Sequence, residues 1–166
     1  DINAKRLKRV SSFKVYLSNP SLRSALFSPI TESDAEMGPM VETAVLSQWM
    51  HREKLDLAYA RWKEGRREGE VDLVLVDSKR YSPVWGVEVK WSNRFLDNPQ
   101  ELKSLIQFCE ANQLPSALVT TAEVSGEKII KTTAVTFIPA ALYCYNVGDV
   151  TLRIKSFDNI QSHLGD

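Results

Sequence analysis

Two kinds of apolar pattern run along the chain, and together they predict a small α/β domain. At 38–52 and 99–112, apolar residues recur three or four positions apart, which is the spacing of one helix face. Short runs rich in β-branched and aromatic residues predict strands at 55–62, 70–76, 84–91, 116–121 and 134–138. The order helix, three strands, helix and strand predicts an α/β (α+β) fold, with a small mixed β-sheet flanked by helices.

The segments around this core give shorter signals. The alternating FKVYL at 13–17 predicts a short strand. Asn19 followed by Pro20 predicts a helix start, because Asn caps helices well and Pro is tolerated in the first turn. Residues 63–69 predict a turn, and residues 139–145 predict a helical turn or a loop.

The domain boundaries follow from these elements and from the polar ends of the chain. Residues 1–12 are basic and polar and are expected to form a linker or lead-in. The folded domain is expected at 13–150, and residues 151–166 are expected to form an edge strand or tail. The chain begins with Asp rather than Met, so we expect it to be a piece of a longer protein.

Four charged residues interrupt two runs that are otherwise apolar enough for a sheet core. Glu70 and Asp72 lie on one predicted strand, and Glu88 and Lys90 lie on the next. Side chains two residues apart on a strand share a face, and the short connection predicts an antiparallel hairpin. Asp72 should therefore lie opposite Glu88 or Lys90, with all the charges on one face. The opposite face is expected to hold the apolar residues Val71, Leu73, Leu75, Trp85, Val87 and Val89.

A charge within a buried strand is costly unless it is paired or binds a metal, and one interpretation is a metal site. Proteins usually hold Mg²⁺ through one or two carboxylates, which Asp72 and Glu88 could supply. Lys90 would then hold an attacking water or stabilise charge on phosphorus. Glu42, beside the apolar face of the first long helix, would reach in as a further ligand. Without a metal, four carboxylates balanced by only one lysine should repel one another, which would raise carboxyl pKa values or loosen the site.

The other interpretation of the same charges is a salt-bridge ladder on a solvated face. A Glu-x-Lys sequence on a strand is common, and an exposed ion pair contributes less than about 1 kcal/mol.

Composition and net charge narrow the chemistry only a little. Lys plus Arg and Asp plus Glu each total 21, so net charge indicates no nucleic-acid partner. Locally, a basic cluster lies just before the predicted strand that carries Glu70 and Asp72, and it is a candidate for phosphate contacts. Most such clusters are solvated surface. Its members are Arg61, Lys63, Arg66 and Arg67. Two cysteines and two histidines without metal-ligand spacing argue against a zinc site, a disulfide framework or a His-based triad. We therefore expect a reducing, cytoplasmic location, and no apolar run is long enough to cross a membrane.

The acidic residues and the lysine, in their order along the chain, resemble a known motif. Glu42, Asp72 and Glu88-Val89-Lys90 look like the motif of the PD-(D/E)XK nuclease superfamily, whose core is a helix, three strands, a helix and a strand. A nearer resemblance is to the C-terminal, nuclease-like domain of unknown function in a prokaryotic family of AAA+ ATPases. The segments that carry it are KVYLSNPSLRSALF (14–27), MGPMVETAVLSQW (37–49), YARWKEGRREGEVDLVLV (59–76) and VEVKWS (87–92).

This resemblance covers most of 13–145 and implies a restriction-endonuclease-like αβββαβ core that cleaves DNA phosphodiester bonds with Mg²⁺ or Mn²⁺. It implies Asp72 and Glu88 as metal ligands, Glu42 as the upstream acidic residue and Lys90 as the catalytic lysine. It also implies an ATPase domain as a partner outside this chain, which has no GxxxxGK[ST] phosphate loop. Where many relatives have Asp after the first strand, this chain has Asn19, outside the metal-binding core.

Two non-enzymatic hypotheses compete with a nuclease. The same fold could serve as a catalytically inactive nucleic-acid-docking or regulatory domain, in which the basic cluster carries salt-dependent binding. Alternatively, the charges form a salt-bridged face of a protein-interaction module, in which case Asp72→Asn should barely alter metal affinity.

Overall fold

A six-stranded mixed sheet with helices on both faces organises the chain. The computed structural model describes residues 14–50, 56–64 and 67–150. The helices are α1 (Pro20–Leu26), α2 (Met37–Trp49), α3 (Arg94–Asp97), α4 (Lys103–Ala111) and α5 (140–150), with a 3₁₀ turn at Pro99–Glu101. The strands are β1 (Asp56–Glu64), β2 (Arg67–Asp77), β3 (Ser82–Glu88), β4 (Ser116–Thr121), β5 (Gly126–Ile130) and β6 (Thr133–Pro139).

The strands lie in the order β1-β2-β3-β4-β6-β5. Strands β1 to β3 form an antiparallel meander, β4 runs parallel to both β3 and β6, and β5 is antiparallel to β6. This confirms the expected α/β (α+β) class and the mixed sheet flanked by helices. The expected order of helix, three strands, helix and strand is present as α2, β1, β2, β3, α4 and β4.

Each face of the sheet packs its own hydrophobic cluster. Neighbouring strand residues such as Leu118 and Val119 belong to different clusters, because successive side chains on a strand point to opposite faces. One cluster, here the α4-side cluster, includes Leu105, Ile106, Phe108 and Cys109 of α4. The other, the α2-side cluster, includes Val41 and Val45 of α2 together with Tyr143 and Val147 of α5. The sheet is therefore covered on both faces. Asp72 lies within β2, and Glu88 is the last residue of β3.

The hairpin of β1 and β2 is fixed by a close contact between Trp62 and Gly69. These two residues are register partners, and the Trp62 ring lies so close to Gly69 that a Cβ there would overlap it. The ring also stacks on Phe108 of α4, with ring centroids 6.1 Å apart. Glycine at 69 therefore allows the tryptophan to anchor the hairpin that carries the acidic strand.

Several predicted boundaries are wrong. The described part of the predicted strand at 13–17 is not in a strand, and β1 and β2 extend into the predicted turn at 63–69. Strand β5 was missed because it is an edge strand whose central side chains are exposed, so it lacks the apolar signature of a core strand. Residues 139–145, predicted as a helical turn or a loop, contain the end of β6 and the start of α5, which continues to residue 150. The linker at 1–12 and the tail at 151–166 lie outside the described residues.

Candidate functional site

An irregularity in β2 sets the position of Asp72. Ala58 of β1 pairs with Val74 of β2, but Ala60 pairs with Val71, so β2 carries one more residue than β1 in this interval. As a result Val71 packs in the α4-side cluster and Leu73 in the α2-side cluster. The expectation that these residues share one face is therefore wrong, because a β-bulge interrupts the alternation. Such bulges re-aim side chains, and this one lies at the predicted metal ligand.

The acidic end of β3 faces Asp72 as the hairpin pattern predicts. Leu73 pairs with Val87, so the next positions of this register set Asp72 opposite Glu88. Val87 and Val89 both pack in the α2-side cluster. Glu88, which alternates with them, points to the other side of the strand.

Side chains replace backbone partners where β3 ends. The N–H of Val89 donates to Asp72 Oδ2 at 2.9 Å. The N–H of Lys90 donates to Thr120 Oγ1 at 2.7 Å, and the Thr120 hydroxyl donates to the Lys90 carbonyl at 2.9 Å. The backbone that carries Lys90 is thus held by a fully buried threonine of β4. Val89 and Lys90 directly follow β3, and Thr120 is the penultimate residue of the parallel strand β4. Open α/β sheets commonly bind ligands at such carboxyl ends.

Four residues form a compact ion-pair group, here called the lysine–carboxylate cluster: Lys14, Glu42, Glu70 and Asp72. The ammonium of Lys14 lies 3.0 Å from Asp72 Oδ1 and 3.7 Å from Glu42 Oε2, and it also bonds Glu70. The Tyr16 hydroxyl donates to the same Glu42 oxygen at 3.2 Å. Helix α2 holds Glu42 in place because Val41 and Val45 are buried and Trp49 Nε1 donates to the Tyr143 hydroxyl of α5 at 3.1 Å.

Glu88 and Lys90 form a second ion pair beside this cluster. Lys90 Nζ lies 2.8 Å from Glu88 Oε1 and 5.8 Å from the ring centroid of Phe95. The other carboxylate oxygen, Glu88 Oε2, is buried and has no hydrogen-bond partner among the described residues. A buried carboxylate oxygen without a partner is energetically costly. Glu88 Oε2 can therefore bind a proton, accept a further hydrogen bond or coordinate a cation.

Burial and like charge perturb both carboxyl groups flanking Asp72. Burial, followed by the negative charge of Asp72, raises the pKa of Glu88 to about 7, against the opposing effect of Lys90. The same two causes raise the pKa of Glu42. The repulsion expected among these carboxylates therefore contributes to the raised pKa of both Glu42 and Glu88.

Both lysines stay positively charged at neutral pH. Burial lowers the pKa of Lys90, but the charge and hydrogen bond of Glu88 outweigh it, so the pKa is raised overall. For Lys14, burial again opposes ionisation, while Glu70 and Asp72 raise the pKa by more. The carboxylates are thus balanced by two ammonium groups rather than the single lysine expected from the sequence.

A solvent-open cleft of about 370 Å³ lies beside Lys90. Its walls are the loop between α1 and α2 and the segment after β3, including Glu32, Asp34, Trp91 and Arg94. Trp91 Nε1 donates to the Glu32 carbonyl at 3.2 Å, which ties the two walls together. The cleft gives a ligand in solution access to Lys90.

The donor set of Asp72 and Glu88 fits a hard divalent cation. Mg²⁺ prefers oxygen ligands and is usually bound by one or two carboxylates with water in the other positions. The unpaired Glu88 Oε2 is the oxygen that gains most from such an ion. In residues 14–50, 56–64 and 67–150, no three or more His, Cys, Asp or Glu side chains are grouped so that they could hold a metal. A cation here would therefore depend on two carboxylates and water.

The basic cluster has a different environment. Arg61 is the register partner of Glu70, and Lys63 is the partner of Glu68. Opposite charges directly across a strand pair stabilise each other, so these basic residues face acidic ones. Arg66 lies outside the described residues, and the side chain of Arg67 is likewise not described.

Lys14 was missed as a site residue. The available signal was its spacing from Tyr16, because residues two apart in an extended segment point the same way and both side chains reach Glu42. Thr120 carried no comparable signal, because its role depends on the parallel pairing of β3 with β4.

The comparison with known families places the chain in one of them. Residues 37–143 match the family described as Domain of unknown function (DUF4143). The chain belongs to this family. No curated protein matches it. The match covers α2 through the start of α5 and so includes Glu42, Asp72, Glu88 and Lys90. Membership of the PD-(D/E)XK superfamily stays a prediction.

Proposed function

We propose that this domain is a Mg²⁺- or Mn²⁺-dependent nuclease that hydrolyses phosphodiester bonds in DNA. The observation that carries the proposal is the buried, unpaired Oε2 of Glu88, a residue that pairs with Lys90 and lies opposite Asp72 at the carboxyl end of β3. A carboxylate pair beside a lysine combines a place for a cation with a fixed positive charge.

Each residue has a distinct task in this proposal. Asp72 and Glu88 would hold the metal, and Glu42 would contribute from α2 through water. A bound divalent cation would polarise the phosphodiester and lower the pKa of a bound water. Lys90, charged and facing the open cleft, would donate to a phosphoryl oxygen and stabilise the negative charge that develops there.

The resemblance to the C-terminal domain of AAA+ ATPases supplies the partner in this proposal. We propose that the domain acts beside an ATPase domain of a longer protein in the cytoplasm. In the part of the chain that the structure describes, no helix is long and apolar enough to cross a membrane.

A cleavage assay with single- and double-stranded DNA and Mg²⁺ or Mn²⁺ tests the catalytic role. Lys90→Ala should reduce the rate by about 100-fold or more, because it removes a charge placed at the transition state. Asp72→Ala should abolish metal-dependent cleavage. Lys131→Ala, which removes an exposed lysine of a surface ion pair, is the matched control and should leave the rate unchanged. Cleavage that persists in both site variants would exclude this site, and no cleavage in any protein would contradict a nuclease.

A catalytically inactive docking domain is the second candidate, and the lysine–carboxylate cluster favours it. Lys14 already bonds Asp72 Oδ1, and the Val89 N–H bonds Oδ2, so each oxygen of Asp72 has a partner without a metal. In this case DNA binding should persist in EDTA and weaken with salt. Arg61→Ala and Lys63→Ala should each reduce the slope of log K against log salt by about 1.

A further inference from the structure

Lys14 occupies the position at Asp72 that a metal ion would need. Of the two oxygens of Asp72, Oδ2 accepts the Val89 N–H at 2.9 Å and Oδ1 bonds the Lys14 ammonium at 3.0 Å. A divalent cation bound through Oδ1 would lie about 2.1 Å from that oxygen. It would then be a close neighbour of the ammonium, and the two positive charges would repel each other.

Burial keeps this repulsion from being screened away. The Asp72 side chain is 11% exposed and that of Lys14 is 27% exposed. Like charges interact more strongly in such a setting than at the surface, because little water lies between them. Lys14 and a cation at Asp72 therefore exclude each other.

Removal of Lys14 alone would leave Glu42, Glu70 and Asp72 without the ammonium that contacts all three. The negative charge of Asp72 already raises the pKa of Glu42. A divalent ion that replaced Lys14 would restore the balance. In this exchange the divalent ion takes the place of the Lys14 ammonium within the lysine–carboxylate cluster.

The segment that carries Lys14 is suited to such an exchange. Residues 14–18 are not part of a helix or strand, and Val15 is 78% exposed. Lys14 and Tyr16 place their polar ends in the cluster while Val15 points to solvent. The segment can therefore withdraw its lysine without breaking the hydrophobic core.

We propose that Lys14 is a built-in competitor of the divalent cation: its ammonium closes the site at Asp72, and metal binds there only when Lys14 leaves. This inference rests on the metal site of the proposed function. It identifies Lys14 as a positioning residue that controls access of the cation.

The test compares Mn²⁺ binding by wild type, Lys14→Met and Lys14→Arg in calorimetric titrations. Lys14→Met should bind Mn²⁺ at least about tenfold more tightly than wild type, and Lys14→Arg, which keeps the charge, should resemble wild type. Tyr16→Phe, in the same segment, is the matched control and should leave the affinity within about threefold of wild type. Lys14→Gln, which keeps a hydrogen-bond donor, gives the same comparison if Lys14→Met does not fold.

Thermal unfolding separates competition from a purely structural role. In EDTA, Lys14→Met should melt at a lower temperature than wild type, and Mn²⁺ should raise its melting temperature by more than it raises that of wild type. Equal or weaker Mn²⁺ binding by Lys14→Met would overturn this inference while leaving the metal site intact. Tighter binding without DNA cleavage would support the inference and contradict the nuclease. Absence of binding in every variant would overturn both.

Discussion

Two ion pairs of similar length lie in very different surroundings, and their comparison shows where charge matters in this protein. Lys14 lies 3.0 Å from Asp72, and Lys131 lies 2.7 Å from Glu110. The first pair has side chains 27% and 11% exposed, whereas those of the second are 63% and 37% exposed. By distance alone, the Lys131–Glu110 pair would be expected to contribute more to stability. Burial reverses the order, because water screens the exposed charges and leaves the buried ones dependent on each other.

The largest effect on stability is expected from Asp72→Ala. This change leaves the buried Val89 N–H without an acceptor and removes one counter-charge of Lys14. We expect a loss of about 2–4 kcal/mol in the free energy of unfolding at pH 7. Asp72→Asn should cost less than half as much, because it keeps an acceptor oxygen and relieves the repulsion on Glu42 and Glu88. Urea denaturation measures both, and equal losses would show that charge rather than the hydrogen bond dominates.

Glu88→Gln is expected to have an intermediate effect on the free energy of unfolding, and this effect should depend on pH. The pKa of Glu88 is raised from 4.5 to about 7 by burial and by Asp72, with Lys90 and Lys14 opposing. Between these values the folded state binds more protons than the unfolded state, so stability falls as pH rises through this window. Glu88→Gln removes that fall.

The measurement is urea denaturation of wild type and Glu88→Gln at pH 5 and pH 8 without metal. The variant should gain about 1–2 kcal/mol relative to wild type between the two pH values. A difference that is the same at both pH values would contradict a raised pKa for Glu88.

The smallest effect is expected from Lys131→Gln. It breaks the exposed pair with Glu110, which should change the free energy of unfolding by less than about 0.5 kcal/mol. Added salt should not alter this result, because the pair contributes little at any ionic strength. A loss as large as that of Asp72→Ala would remove the distinction between the buried and the exposed ion pair.

Much of the fold follows from local patterns. The Asn19 cap is confirmed, since its side chain accepts the Ser21 N–H at 2.8 Å. The stripe of α2 and the core strand β4 are also confirmed, because they depend on periodicity that the chain carries locally. Strand β5 could not be found in this way, since what defines it is backbone pairing with β6 rather than burial of its own side chains.

The candidate site was predictable in part. The alternation of charge predicts Asp72 opposite Glu88 or Lys90, and the register continued from the Leu73–Val87 pair sets it opposite Glu88. The bulge at Asp72 was not predictable, because the extra residue is visible only when β1 and β2 are paired. The spacing of Lys14 and Tyr16 indicates that the two share a side, but it does not identify Asp72, 58 residues away, as the partner of Lys14.

The sequence by itself determined the class of fold. It also determined that Asp72 on one strand and Glu88-Val89-Lys90 at the end of the next lie close enough to meet. Period-two alternation and turn length are local properties, so they can be read before folding. The tertiary structure alone decided which cation balances those carboxylates, which backbone groups hold Asp72 and Lys90, and which carboxylate oxygen is left buried without a partner. These outcomes depend on distance and dielectric between segments far apart in the chain, and folding is what brings Lys14, β2, β3 and Thr120 together.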